Sequence, residues 1–234
     1  MRTARRLPHV DRVAVEERVS TLAKRSIKTE AKLQGIRLAI SMLDLTTLEG
    51  ADTPGKVRQL AAKAVCPSPN RPEIPSCAAV CVYPALVGVA RDAVAGSGVH
   101  VASVATAFPS GQSSLDVRLQ DTREAVAAGA DFIKTSTGKA KQGATPGVVL
   151  VMLEALRDYT QRTGRVVGMK PAGGVSTSKQ ALGMLVLVKE TLGDDWLTPE
   201  RFRIGASSVL NDLLMQYEKA LTGRYGRAED FSKE

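Results

Sequence analysis

The sequence contains few of the residues that build metal sites and disulfide frameworks. Its 234 residues include three cysteines, Cys66, Cys77 and Cys81, and two histidines, His9 and His100. The number of cysteines is odd, and none of them stands at a zinc-site spacing from a histidine, so neither a disulfide framework nor a zinc site is expected. We therefore expect a protein that uses no metal and no other cofactor.

Long apolar runs and aromatic side chains are also scarce. No stretch approaches the roughly 20 apolar residues of a membrane-spanning helix, and the N-terminus has no long apolar region of the signal-peptide type. We therefore expect no membrane partner and a cytoplasmic location. A content of 44% hydrophobic but only 4% aromatic residues fits one aliphatic α/β core.

Positive charge is concentrated at the start of the chain. Residues 1–34 hold nine Lys or Arg against four Asp or Glu, in a chain of net charge +8. Such a start could serve as a nucleic-acid or organelle-targeting arm, but Glu16 and Glu17 interrupt it. A partly amphipathic helix is indicated by Val13, Val19, Leu22 and Ile27. We favour a solvated or capping helix over nucleic-acid binding.

Strand-like and helix-like segments alternate after this start. The predicted strands are 40–47, 78–84, 99–108, the segments ending at Lys134 and Lys170, and 202–208. The predicted helices are 54–65, 85–95, one from Ser113 or Ser114 to 128, 146–160, 177–191 and one from Asn211. Continuous apolar strands separated by helices indicate a parallel sheet covered on both faces. Because no GxGxxG motif follows the first strand, six βα units of a barrel are favoured over a doubly wound sheet.

Two lysines stand where buried strands should carry no charge. Lys134 ends one apolar run and Lys170 ends the next, and glycines follow both. A buried ammonium is costly unless it is paired or loses its proton, so the pair suggests amine chemistry. The alternative is that each lysine buries its stem and keeps its charge in solvent.

Several segments, taken in order, resemble one known family. These segments are Asp44-Leu45-Thr46-Thr47, Val80-Cys81-Val82-Tyr83-Pro84, residues 132–139, Lys170-Pro171-Ala172-Gly173-Gly174 and Gly205-Ala206-Ser207-Ser208. They are similar to deoxyribose-phosphate aldolase over about residues 40–214. That family is an eight-stranded TIM-type (βα) barrel, and this chain has segments resembling its first, second, third, sixth, seventh and eighth strands. The resemblance implies six βα units, in a barrel that is open or closed in a new way.

The resemblance implies a class I aldolase, a lyase that reversibly cleaves 2-deoxy-D-ribose 5-phosphate into acetaldehyde and D-glyceraldehyde 3-phosphate. It places the Schiff base on Lys134 and makes Lys170 the neighbouring lysine, and we expect each amine to lower the pKa of the other. It makes Asp44 a contributor to proton transfer or hydroxyl binding, although Asp44 could equally cap its loop. Cys81 is expected to be a small apolar lining residue.

The phosphate of the substrate is expected at the loops after the last two strands, where barrels bind phosphate. The candidate residues are Lys139, Gly173, Gly174, Ser207 and Ser208, of which the two serines could instead be plain helix caps. The partners implied are a small sugar phosphate and an aldehyde, and the chain could form a homo-oligomer.

Three domains of unequal size are expected, and one catalytic role has no occupant. Residues 1–38 form the basic extension, 39–220 the catalytic domain and 221–234 a polar tail. The family's acid–base aspartate lies on its fourth strand, for which this chain has no counterpart. A natural excision, an engineered deletion and a faulty gene model all fit this gap. A non-catalytic remnant with a sugar-phosphate pocket is the alternative function.

Overall fold

The fold is taken from a computed structural model, which describes residues 10–104, 108, 112–117, 119–120, 132–136 and 143–226. Its helices are α1 (Arg12–Leu22), α2 (Thr29–Ser41), α3 (Pro54–Val65), α4 (Val87–Ala93), α5 (Pro146–Thr163), α6 (Ser178–Leu192) and α7 (Ser208–Thr222). Its strands are β1 (Leu43–Thr46), β2 (Ala79–Val82), β3 (His100–Ser103), β4 (Phe132–Lys134), β5 (Gly168–Lys170) and β6 (Ile204–Gly205). Strands and helices alternate from β1 to β3 and from β4 to α7, as the sequence predicts, and the helix predicted from Ser113 or Ser114 to 128 lies mostly outside the described residues.

The strands form one parallel series. Four of them pair in the order β3-β2-β1-β6, and β4 pairs with β5. Two parallel bridges, Met169 with Phe202 and Ala172 with Gly205, join β5 to the β6 segment. The series therefore runs β3-β2-β1-β6-β5-β4, and all carboxyl ends lie at the same edge, where α/β proteins place their ligand sites.

Side chains along each strand point alternately toward the hydrophobic core and toward the site. Leu43 and Leu45 of β1 are fully buried and belong to the hydrophobic core, as do Met169 of β5 and Ile204 of β6. Successive side chains of a strand point to opposite faces. Asp44 and Lys170 therefore lie on the face opposite the core residues beside them, and that face carries the site.

Local signals set most helix starts. Thr53 accepts a hydrogen bond from Lys56 N and Pro54 occupies the first turn of α3, as predicted. Thr145 caps α5 in the same way, and Thr177 with Gln180 forms a capping box at α6. The predicted N-terminal helix is present in part as α1, which ends at Leu22, before Ile27, and buries Leu22 in the core.

Three predicted boundaries are wrong. Residue Ile40, placed in the first strand, is the buried end of α2, and the strand begins at Leu43. Helix α7 begins at Ser208 rather than Asn211, and the third strand ends at Ser103. Residues 36–45 contain no glycine or proline that would separate helix from strand, and an apolar-rich segment of this length is typical of both a buried helix and a buried strand.

No helix within the described ranges is both long and apolar enough to cross a membrane. All three cysteines are free, with Cys66 exposed and the other two buried.

Candidate active site

The two lysines singled out from the sequence face each other across neighbouring strands. Lys134 ends β4 and Lys170 ends β5, and they are direct register partners in the parallel pair. Side chains at the same register of adjacent strands project to the same face. The structure therefore brings the two predicted amines together at one end of the sheet.

Polar side chains after Lys134 fix this end of β4. The Thr135 hydroxyl donates to the carbonyl of Ala172 at 3.0 Å and accepts from its N–H at 3.0 Å. The Ser136 hydroxyl donates to the same carbonyl at 2.8 Å. Together with the backbone hydrogen bond from Thr135 N to Lys170 O at 3.2 Å, these bonds extend the pairing beyond Lys134 and hold the two chain segments in register.

Lys170 is buried and paired with Asp44. Its side chain is 8% exposed, and Nζ donates to Oδ2 of Asp44 at 2.5 Å. The other carboxylate oxygen, Oδ1, is buried and has no hydrogen-bond partner within the described residues. Burial lowers the pKa of Lys170, but the Asp44 carboxylate, the Cys81 sulfur and their hydrogen bonds outweigh it and raise the pKa overall. Lys170 is therefore a buried cation that is paired with Asp44. The alternative, in which its charged end lies in solvent, does not apply to Lys170.

Lys134 has the opposite electrostatic balance. It is half-buried, and its Nζ lies 5.2 Å from the centroid of the Phe108 ring. Burial lowers its pKa first, and the positive charge of Lys170 lowers it further. No carboxylate forms an ion pair with Lys134 among the pairs recorded for the described residues. Lys134 is thus the amine that loses its proton more easily.

The expectation that each lysine lowers the pKa of the other is wrong for Lys170. The pKa of Lys134 is lowered, whereas that of Lys170 is raised. The reason is Asp44, which lies against Lys170 and stabilises its charged form. The arrangement is asymmetric, with one charged lysine and one lysine of reduced basicity.

Cys81 lies beside the lysines at the end of β2. It is buried, and burial raises the pKa of its thiol, in a site that also contains Lys170 and Asp44. The thiol thus stays protonated near neutral pH. The structure agrees with a small lining residue and adds that its sulfur contacts the Lys170 ammonium.

The candidate phosphate residues occupy two loops. Gly173 and Gly174 both have positive φ, 84° and 83°, so their backbone turns in a way that favours glycine. Ser208 is exposed at the first residue of α7. The Ser207 hydroxyl is engaged with the β1 backbone, accepting from Thr46 N at 2.8 Å and donating to Thr46 O at 3.0 Å. Lys139 lies outside the described residues.

A separate cavity lies away from the lysines. Its volume is about 810 Å³, and it is lined by α1, α6 and the start of α5, with Gly173 and Gly174 in one wall. Neither Lys134 nor Lys170 lines it. We therefore place the chemistry at the strand ends, because that is where the reactive groups converge.

Sequence reasoning missed three features of this site. It assigned no role to Thr135 and Ser136, although their position directly after Lys134 in a polar run was a visible signal. It also missed the Asp44–Lys170 pair, whose members lie 126 positions apart. Across the described segments, no cluster of three or more His, Cys, Asp or Glu side chains could hold a metal ion.

The parallel strands and the paired lysines at their carboxyl ends define the class as a barrel-type aldolase, which is a lyase. The chain is 38% identical to deoxyribose-phosphate aldolase of Mus musculus over 297 aligned positions, covering 94% of this chain and 93% of the relative. It is 36% identical to the protein of the same name from Homo sapiens, covering 89% and 88%. The chain belongs to the deoxyribose-phosphate aldolase family.

Solved structures show the same fold. The crystal structure of a candidate deoxyribose-phosphate aldolase from Toxoplasma gondii ME49 matches with a TM-score of 0.63 at 20% identity, covering 82% of this chain and 99% of that one. A corresponding protein from Coccidioides immitis matches with a TM-score of 0.54 at 18% identity, covering 87% and 98%. No family model matches the chain.

Proposed function

We propose that this chain reversibly cleaves 2-deoxy-D-ribose 5-phosphate into acetaldehyde and D-glyceraldehyde 3-phosphate through an imine on Lys134. Relatives in mouse and human carry the name deoxyribose-phosphate aldolase. The observation that carries the assignment of the nucleophile is the register pairing of Lys134 with Lys170, combined with the lowered pKa of Lys134.

The chemistry begins with the neutral amine of Lys134. Its nitrogen adds to the aldehyde carbon, and loss of water from the adduct gives an iminium. The bond between carbons 2 and 3 then breaks, and its electron pair flows into the iminium while the hydroxyl on carbon 3 loses a proton. Glyceraldehyde 3-phosphate leaves, and an enamine remains on Lys134. Carbon 2 of the enamine takes up a proton to give an iminium, and its hydrolysis releases acetaldehyde and the free amine of Lys134.

Lys170 and Asp44 support this sequence. A held ammonium beside the reacting nitrogen lowers the pKa of Lys134 and offers a proton as water leaves the first adduct. Asp44 keeps Lys170 charged through its hydrogen bond to Nζ. We infer that Lys170 and Asp44 are a proton-handling pair, with Lys134 as the nucleophile.

For the substrate phosphate we propose the loops after β5 and β6. Gly173 and Gly174 have no side chain that would keep a phosphate from the backbone, and Ser208 is exposed at the start of α7. The Ser207 hydroxyl already bridges to Thr46, so Ser207 would contribute through its backbone. Lys139 remains a predicted cation of this site.

We infer that the chain keeps six of the eight βα units of its family. The alignment with the mouse relative spans 297 positions but covers 94% of this chain, about 220 residues, so about 77 positions lack a residue of this chain. A barrel unit takes roughly 30 residues, and this gap therefore corresponds to between two and three units. The strand order β3-β2-β1-β6-β5-β4 fits a loss between β3 and β4 that leaves an open series.

A second candidate function follows from the positions of the alignment at which this chain has no residue. If the fourth unit is absent, so is the strand on which the family carries its acid–base aspartate. The chain would then bind sugar phosphate without turning it over.

The experiment that separates the two candidates measures acetaldehyde release from 2-deoxy-D-ribose 5-phosphate. The wild-type chain is compared with Lys134→Met and with Lys24→Met, whose lysine is exposed and far along the chain from the site. We expect release by the wild type and by Lys24→Met, and none by Lys134→Met. A folded wild type that binds the sugar phosphate but releases no acetaldehyde would establish the remnant instead.

A further inference from the structure

The ion pair at the centre of the site spans three strands. Lys170 lies on β5 and Asp44 on β1, and β6 runs between them in the parallel series. Neighbouring strands are about 4.8 Å apart, so the two backbones are separated by roughly twice that distance. The stem of Lys170 must therefore cross β6 before its Nζ can reach Asp44 at 2.5 Å.

The residue of β6 that lies under this crossing is Gly205. It is the register partner of Asp44 on one side and forms a bridge with Ala172 on the other. A Cβ at position 205 would lie 2.7 Å from Cε of Lys170 and 3.0 Å from Cβ of Ala172. A separation of 2.7 Å is too short for two carbon atoms, so the lysine stem and a side chain at 205 exclude each other.

Backbone conformation does not explain this glycine. The glycines with positive φ are Gly96, Gly98, Gly164, Gly173, Gly174, Gly193 and Gly223, and Gly205 is not among them. Any residue could adopt the backbone of Gly205. The constraint is therefore the space above it, which is occupied by Lys170.

We propose that Gly205 is a positioning residue, whose missing side chain forms the channel through which Lys170 reaches Asp44 across β6. The effect of Gly205 on imine formation rests on the function proposed above, whereas its effect on the position of the Lys170 side chain does not. The atom that a Cβ would strike is near the end of a flexible side chain, so the lysine moves rather than the strand.

Displacing Lys170 changes the neighbouring amine in a direction that can be derived. Away from Asp44, Lys170 loses the interactions that keep it charged in a buried place, and its charge no longer acts on Lys134. The pKa of Lys134 then rises, because one of its two lowering causes is gone. A mere loss of stability would leave the titration of Lys134 in the folded protein unchanged.

The test measures the labelling of Lys134 by acetic anhydride as a function of pH, with peptide mass spectrometry as the readout. This reagent reports the neutral amine without any turnover, so a failure of the proposed reaction does not obscure the result. The variants are Gly205→Ala, Lys170→Ala, the double variant and Gly88→Ala. Gly88 is the matched control, because nothing lies within 4 Å of a Cβ built there.

We expect the labelling midpoint of Lys134 to shift to higher pH in Gly205→Ala and to stay unchanged in Gly88→Ala. In the Lys170→Ala background, the glycine substitution should add no further shift, since the ammonium that acts on Lys134 is already absent and only the 3.0 Å contact with Ala172 Cβ remains. Imine formation with acetaldehyde at neutral pH should fall by about 10- to 100-fold in Gly205→Ala.

Two results would overturn the proposal. One is a Gly205→Ala midpoint equal to that of the wild type, and the other is a further shift in the double variant relative to Lys170→Ala. Should Gly205→Ala alone fail to fold, thermal unfolding of the double variant decides the matter. We expect the double variant to fold, because the 2.7 Å clash with Cε of Lys170 is then gone, and a double variant that also fails to fold would contradict the proposal.

Discussion

At the scale of single residues, the site depends on a buried charge pair that is only partly satisfied. Asp44 is fully buried, and of its two carboxylate oxygens one accepts from Lys170 while the other has no partner within the described residues. Burying an unpaired carboxylate is expensive, so the pair persists because removing either member is worse than keeping both. The unpaired oxygen is free to accept a hydrogen bond from a substrate hydroxyl.

Replacing Lys170 alone should therefore destabilise the protein. In Lys170→Met the Asp44 carboxylate remains buried without its cation, and we expect a loss of about 3–5 kcal/mol in the free energy of unfolding. Combining it with Asp44→Leu should recover most of this loss. Urea unfolding of both variants at neutral pH measures the difference, and equal stability of wild type and Lys170→Met would show that the pair contributes nothing.

The pair also predicts how stability depends on alkaline pH. The pKa of Lys170 is raised in the folded state, so its stabilising contribution is fully present below the unfolded lysine value of about 10.4. The contribution is lost as pH rises through the raised folded value. Unfolding free energy measured across this range should fall for the wild type and should fall less for the double variant Asp44→Leu with Lys170→Met.

The pH dependence of imine formation follows from Lys134. Only the neutral amine attacks, and burial and Lys170 lower the pKa of Lys134, so the rate should rise with pH and level off below about 10.4. In Lys170→Met the rising limb should move to higher pH, although not fully, because burial remains. Rates measured with acetaldehyde between neutral and alkaline pH test this, and identical limbs in both proteins would exclude the role of Lys170.

At the scale of elements, β4 is held mainly from one side. Within the described residues it pairs with β5 only, and its end is fixed by hydrogen bonds from Thr135 and Ser136 to Ala172. Ile133 in this strand is 37% exposed. The strand that carries the proposed nucleophile is thus short and partly exposed, and the hydrogen bonds of Thr135 and Ser136 to Ala172 add to its pairing with β5.

Removing the hydrogen bonds between Thr135 and Ala172 should increase the mobility of Lys134 without changing the charges of the site. Thr135→Val keeps the shape but loses two hydrogen bonds to Ala172, which should cost about 1–3 kcal/mol in unfolding free energy. Faster hydrogen exchange should be confined to residues near 132–136. Thr135→Ser, which keeps the hydroxyl, is the control. An unchanged exchange rate in Thr135→Val would show that the hydrogen bonds between Thr135 and Ala172 do not stabilise this end of β4.

The elements also show what the sequence could predict. The start of α3 was predictable, because Thr53 and Pro54 stabilise the first turn of the helix that begins at them. The end of α2 was not, because Ile40 lies in an apolar run that continues into β1. The lysines were recognisable from their strands, but the partner of Lys170 was not, since Asp44 meets it only through the order of the folded sheet.

At the scale of the whole molecule, the chain belongs to its family, and the proposed loss of units would shorten its middle. Six strands are described, and about 77 of the 297 positions aligned with the mouse relative, of which this chain fills about 220, have no residue of this chain. The residues proposed for the nucleophile and its neighbours lie on strands outside the proposed gap. On this proposal, the chain keeps the proposed nucleophile and its neighbours and lacks the strand that carries the family's acid–base aspartate.

The proposed shortening predicts an enzyme with a low kcat and a largely unchanged KM. General acid–base catalysis contributes typically about 10²- to 10⁴-fold, so kcat should be lower than that of the mouse relative by a factor in this range. The KM for 2-deoxy-D-ribose 5-phosphate should differ less, because the proposed phosphate loops are present. Parallel kinetics of the two proteins test this, and equal kcat values would show that another group replaces the missing aspartate.

Borohydride trapping tests the central claim most directly, because it asks which amine captures the aldehyde. The protein is incubated with acetaldehyde, reduced, digested and analysed by peptide mass spectrometry. We predict a reduced adduct on Lys134, and no comparable adduct on Lys170, whose amine is charged and bonded to Asp44. An adduct on Lys170 instead, or a folded protein with Lys134 unmodified, would contradict the account.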